Sequence, residues 1–117
     1  MDNKKLRNAA EKNLEIQKKA VSQFQITDEM LNAIQLIIEN SQSKKKIVTT
    51  GMGKAGQIAM NISTTFCSTG IPSVFLHPSE AQHGDLGIFQ KNDLLLLISN
   101  SGKTREIVEL TKLSRVL

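Results

Sequence analysis

The sequence predicts an α/β domain built on a parallel sheet, and three observations carry that expectation. Aliphatic or branched runs, Ile47-Val48-Thr49-Thr50, Val74-Phe75-Leu76 and Asp93-Leu94-Leu95-Leu96-Leu97-Ile98, are separated by segments of helical period. Two of these runs pass directly into glycine- and hydroxyl-rich loops, Gly51-Met52-Gly53-Lys54-Ala55-Gly56 and Ser99-Asn100-Ser101-Gly102-Lys103-Thr104, each opening into a further helix. Strands alternating with helices imply right-handed crossovers and parallel pairing. The chain has four Phe and no Tyr or Trp among its 117 residues, so the core must be aliphatic.

Taken in order, residues 4–23 read as a helix with Leu6, Ala10, Leu14, Gln17 and Val21 along one side. Gln25-Ile26-Thr27 interrupts it. Thr27 suits an N-cap, and Asp28 and Glu29 place negative charge where a helix start favours it. The second helix runs to about Asn40, with Met30, Ile34, Ile37 and Ile38 facing inward. This pair, residues 1–42, is expected to pack on the domain formed by residues 43–117. Ser41 to Lys46 is a polar connection to the first strand. After the first loop, Ile58, Ala59, Ile62, Thr65 and Phe66 form a helical stripe, ended by Ser68-Thr69-Gly70 with Pro72 just beyond. Cys67 reads as a small core residue, and Met30 and Met60 as helix packing. Pro78 to Gly87 is an irregular polar stretch leading to Ile88-Phe89 and the turn Gln90-Lys91-Asn92. The last helix runs from about Lys103 to Leu117. The element order is thus α-α-β-α-β-β-α. A sheet of three strands leaves a long apolar edge unpaired. The chain is therefore expected to be the first part of a larger α/β domain, or an obligate oligomer.

Composition narrows the function. The formal charge of +4 comes largely from Lys4, Lys5, Arg7, Lys12, Lys18 and Lys19, and from Lys44-Lys45-Lys46. These read as a solvated helix face and a polar turn rather than a nucleic-acid surface, and aromatic side chains for base stacking are scarce. One cysteine excludes an internal disulfide. With no signal peptide and no apolar stretch of about 18 residues, a cytoplasmic protein without membrane contact is expected.

The two loops carry the chemistry. Gly51-x-Gly53-x-x-Gly56 matches the dinucleotide fingerprint, but that motif needs an acid at the end of the second strand. Leu76-His77-Pro78 stands there, and Glu80 comes too late. Ser101-Gly102-Lys103-Thr104 resembles the tail of a P-loop, but Leu97 occupies the position of the required glycine. A hydroxyl cradle remains. Ser99, Asn100, Ser101 and Thr104 supply short donors at a helix N-terminus, with Gly102 allowing close backbone approach, which suits a phosphate monoester. Simple helix capping would need only one of the four.

The stretches Gly51 to Gly56, Ser68-Thr69-Gly70, His77 to Gly87 and Ile98 to Gly102 resemble the arabinose-5-phosphate isomerase family of the sugar isomerase (SIS) superfamily. The similarity spans roughly residues 45–117, and the preceding helices fit the family's N-terminal pair. The resemblance implies a flavodoxin-like three-layer sandwich, of which this chain holds the first three of five strands. It implies aldose-ketose interconversion of D-arabinose 5-phosphate and D-ribulose 5-phosphate through an enediol, in a homotetramer with sites shared between subunits. No cofactor is implied.

Such a reaction needs a base to move a proton between two carbons and a cation or acid to steady the oxyanion. By resemblance, Glu106 is the acid/base and Lys54 the active-site lysine. Lys54 also heads a helix, where the dipole disfavours a cation unless an anion compensates it. Gly53, Gly70, Ile71, His77, His83 and the cradle residues Ser99, Asn100, Ser101 and Thr104 are substrate-binding by the same resemblance. The resemblance also implies His77 as a zinc ligand in some members, with any zinc expected to be incidental or inhibitory rather than catalytic. Read alone, two histidines six positions apart are a weak metal signal, and Gly70 a helix C-cap. Three departures stand out: Ala55 replaces the usual serine, Lys103 adds charge beside the cradle, and the family's further catalytic glutamate and histidine lie beyond residue 117. A phosphosugar sensor without turnover, or an inactive fragment, is the alternative.

Overall fold

The structure is a computed structural model and describes residues 2–116. Its contacts divide the chain into two compact units, one ending at Asn32 and one beginning at Ala33.

The first unit holds helix α1 (Asn3–Ser22) and the start of α2 (Asp28–Gln42). The Asp2 carboxylate caps α1 by accepting from the Lys4 N–H at 3.0 Å. Thr27 plays the predicted capping role at α2, its Oγ1 accepting from the Met30 N–H at 3.3 Å. Neither helix buries a residue. The stripe Leu6, Leu14 and Val21 is exposed, as are Met30, Ile34 and Ile38, which were expected to face inward. Periodicity identifies an apolar face but not the surface that covers it.

The second unit contains a three-stranded parallel sheet, β1 (Ile47–Gly51), β2 (Ser73–Phe75) and β3 (Leu94–Ile98), in the order β2-β1-β3. The central strand β1 is buried throughout, consistent with its unbroken apolar and hydroxyl run. Residues two apart share a face, and the two faces are dressed differently. On one lies α3 (Gly53–Ser68), with the Thr49 Oγ1 donating to the Ala59 carbonyl at 2.8 Å. On the other, Val48 packs with Leu76, Ala81 of α4 (Pro78–Gln82) and Leu110 of α5 (Arg105–Ser114), with Val74, Leu95 and Leu97 around them. This is the expected three-layer arrangement.

Three readings of the sequence need correction. The stretch after β2 is not irregular: it forms α4, with Pro78 at the first turn, followed by a 3-10 turn at Asp85–Ile88. The buried stripe of α3 is small rather than aliphatic, Gly56, Ala59 and Ser63, while Ile58 is 55% and Met60 51% exposed. A Cβ on Gly56 would come within 2.5 Å of the Gly51 carbonyl oxygen, so helix and strand approach too closely for larger side chains. Cys67 is exposed rather than core, with its Sγ 3.1 Å from the Ser73 carbonyl oxygen.

Candidate functional site

Parallel register places the two loops side by side. Gly51, the last residue of β1, pairs with Ile98, the last residue of β3. The chain leaves β1 for β2 on one side and reaches β3 on the other, so the β1/β3 boundary is the switch point of the sheet. In open α/β sheets the crevice beyond the carboxyl ends at such a point is where ligands bind. Here it is a cleft of about 300 Å³ lined by Met52, Lys54, Ala55, Ile98, Ser99, Asn100, Ser101 and Thr104. Five of those residues were singled out by sequence. Met52 and Ile98 were not, because apolar positions beside a loop look like packing, and Ala55 stood out only as a replacement for the family's usual serine.

The cradle is internally organised. The Gly102 N–H donates to the Ser99 Oγ at 2.9 Å, and the Lys103 N–H donates to the Ser101 Oγ at 3.1 Å. The Ser99 and Thr104 hydroxyl oxygens lie 3.4 Å apart. A hydroxyl that accepts from an amide keeps its own O–H to donate, and the pair polarise one another. The serines thus pass the polarity of the backbone outward. Gly102 serves this turn through its positive φ of 66°, not through close approach, since a Cβ there would meet nothing within 4 Å.

Lys54 is exposed in the first turn of α3 and makes no ion pair among the described residues. Its ammonium faces the unfavourable end of the helix dipole, a cost that an anion in the cleft would offset. Gly53, exposed, begins the same helix. Glu106 is half-buried in the first turn of α5, one turn beyond the cradle, and does not line the cleft itself. Its neighbour Glu109 is engaged: the Arg105 Nε–H donates to it at 2.9 Å and holds its carboxyl below the usual carboxylate range. Among the acids of α5, Glu106 is therefore the one without such a partner.

The other predicted residues do not line the cleft. His77 and His83 cap the two ends of α4. Gly70 and Ile71 follow α3, whose 16 residues span roughly 24 Å, so they sit at the far edge of the sheet from Lys54. Their separation follows from the crossover: a helix returning antiparallel to the strands must end where the next strand begins.

His77 does not fit a metal ligand in this arrangement. Its Nδ1 accepts from the Ser79 N–H at 3.3 Å, whereas a ligating imidazole donates its second N–H to an acceptor. Binding through either nitrogen would break the cap of α4. No group of three His, Cys, Asp or Glu side chains able to hold a metal occurs among the described residues.

Fold and cleft define an open parallel α/β domain with a polar, anion-directed crevice at its switch point. More narrowly, the chain belongs to the SIS domain family, whose model matches residues 41–116. It is 47% identical over 85 residues to arabinose 5-phosphate isomerase KdsD of Francisella tularensis, covering 73% of this chain and 26% of that protein. It is 40% identical over 111 residues to the KdsD of Pseudomonas aeruginosa, covering 93% and 33%. Among solved structures, a Bacteroides fragilis protein assigned as a phosphosugar isomerase involved in capsule formation superposes with a TM-score of 0.91 at 64% identity, over 95% of this chain and 58% of that one. An Escherichia coli CFT073 protein in complex with arabinose 5-phosphate superposes with a TM-score of 0.86 at 39% identity, over 98% and 61%. The chain thus spans a quarter to a third of the length of these curated relatives.

Proposed function

We propose that the protein is an aldose-ketose isomerase that interconverts D-arabinose 5-phosphate and D-ribulose 5-phosphate, with this chain supplying the phosphate cradle and two reacting groups. The carrying observation is the switch-point cleft, where Lys54 faces Ser99, Asn100, Ser101 and Thr104 across paired strand ends. The cradle hydroxyls hold the 5-phosphate. Glu106 moves the proton between C1 and C2, and the Lys54 ammonium steadies the enediolate oxygen. The sugar phosphate bound to the Escherichia coli neighbour and the names of the curated relatives support the choice of sugar.

His77 and His83 are further sugar contacts. Gly70 and Ile71, at the opposite edge of the sheet, reach the sugar only if more than one chain builds each site, so a homo-oligomer, a tetramer by family resemblance, belongs to this proposal. The exposed apolar faces of α1, α2 and α3 support it. The chemistry needs no cofactor, and zinc, as an incidental or inhibitory ligand, binds His77 only by breaking the cap that its Nδ1 makes on α4. A cytoplasmic location accords with a sugar phosphate substrate, and no helix among the described residues is long and apolar enough to cross a membrane.

The test is turnover of D-arabinose 5-phosphate followed by NMR, alongside titration of the same sugar against the backbone signals of residues 99–104. Isomerisation with shifts confined to the cradle is the expected result. Shifts without turnover would leave a phosphosugar-binding module, a reading favoured by the position of Glu106 outside the cleft lining. Neither shifts nor turnover would overturn both.

A further inference from the structure

Thr49 and Thr50 place two fully buried hydroxyls in the central strand. Buried hydroxyls require partners, and theirs differ. Thr49 donates to the Ala59 carbonyl on α3 at 2.8 Å, a stitch between sheet and helix. Thr50 donates to the Leu76 carbonyl at 2.5 Å. That carbonyl lies where β2 leaves the sheet: the last register pair is Thr49 with Phe75, and the Leu76 N–H still reaches the Thr49 carbonyl at 2.9 Å. The Thr50 hydroxyl therefore holds the last carbonyl before His77.

From that tethered backbone His77 starts α4, its Nδ1 accepting from the Ser79 N–H and its ring edge-on to Phe75 with centroids 6.4 Å apart. An imidazole that accepts at Nδ1 carries its proton on Nε2. We propose that Thr50 is a positioning residue for His77: through the Leu76 carbonyl it fixes the strand exit, and with it the Nε2–H tautomer that His77 presents as a donor. Its consequence for catalysis rests on the isomerase reading, with His77 as a sugar contact. The tautomer itself does not.

The experiment is imidazole ¹⁵N NMR at a pH where the rings are neutral, on the whole chain, whose two histidines give two ring systems. His83→Gln assigns them. The wild-type His77 ring is expected as a single Nε2–H tautomer. Thr50→Val should convert it to a mixture of tautomers, and Thr50→Ser should restore the single form. Thr50→Ala removes the same hydroxyl with less bulk and serves as the second deletion. Thr49→Val loses an equally buried hydroxyl on the helix side and should leave the ring unchanged. In turnover of D-arabinose 5-phosphate, Thr50→Val should lose roughly tenfold to a hundredfold in kcat/KM, recovered by Thr50→Ser. A wild-type Nδ1–H ring, an unaltered ring in both Thr50 deletions, or equal disturbance by Thr49→Val would overturn the assignment. Absence of wild-type turnover would overturn the isomerase reading and leave the ring spectra to decide Thr50.

Discussion

At the scale of single residues, Lys54 and Glu106 carry the proposed chemistry. Lys54→Ala should leave the chain folded, because the side chain is exposed and unpaired among the described residues. In the active assembly it should lower kcat by about 10²–10³-fold, the effect of removing one group that steadies an oxyanion. Near-normal turnover would remove Lys54 from the reaction. Glu106→Gln should cost about 10²–10⁴-fold in kcat while sugar phosphate binding, read by titration calorimetry, stays close to wild type. A variant that loses binding instead would make Glu106 a contact rather than the proton carrier. Gly56→Ala belongs to a different class. Its Cβ would meet the Gly51 carbonyl oxygen at 2.5 Å, and the forced shift should destabilise the chain by about 1–3 kcal/mol in urea unfolding.

At the scale of elements, the sheet is tied at both ends by polar side chains. Thr50 holds the exit of β2 near the cleft. At the opposite edge, the Lys46 ammonium pairs with the Asp93 carboxylate, joining the starts of β1 and β3. The Asp93 side chain is only 3% exposed and also accepts from the Gln90 N–H at 2.8 Å. Asp93→Ala should therefore cost about 1.5–3 kcal/mol, since it strands a half-buried ammonium and an amide together. A change below a few tenths of a kcal/mol in the denaturant midpoint would show that the pair is solvent-screened after all. Lys46 thus departs from its neighbours Lys44 and Lys45. The three look alike in sequence, yet one closes the sheet and two remain in an exposed turn.

At the scale of the whole molecule, apolar surface is the dominant unsolved quantity for a lone chain. Leu14, Ile16, Val21, Ile34, Ile38, Ile58 and Met60 are each at least 41% exposed, on three helices whose periodicity gives each an apolar side. Burying such faces against copies of the same chain is the ordinary remedy. Light scattering coupled to size exclusion should find a mass above that of one chain, and Ile58→Lys with Met60→Lys should lower it. A monomer at micromolar concentration would contradict the oligomer proposal and the sharing of sites that depends on it. Chelation of divalent metals should leave turnover unchanged or raise it. A loss restored by zinc would make the metal a participant and place His77 in a different conformation.

Much of this protein was determined by local sequence. The three strands, the capping of α2 by Thr27 and both loops follow from periodicity and turn chemistry, which act over a few residues. So do the cradle residues, because hydroxyls concentrated before a helix have a purpose wherever the helix goes. Tertiary structure alone decided which of those pieces meet. The pairing of Gly51 with Ile98 brings Lys54 beside Ser99, while the antiparallel return of α3 carries Gly70 and Ile71 to the other edge. It also decided that Ile58, Met60 and Cys67 face outward, and that Thr49 and Thr50 differ in what they hold. These outcomes depend on strand register and on which surface covers each face, and both are set by contacts between residues far apart along the chain.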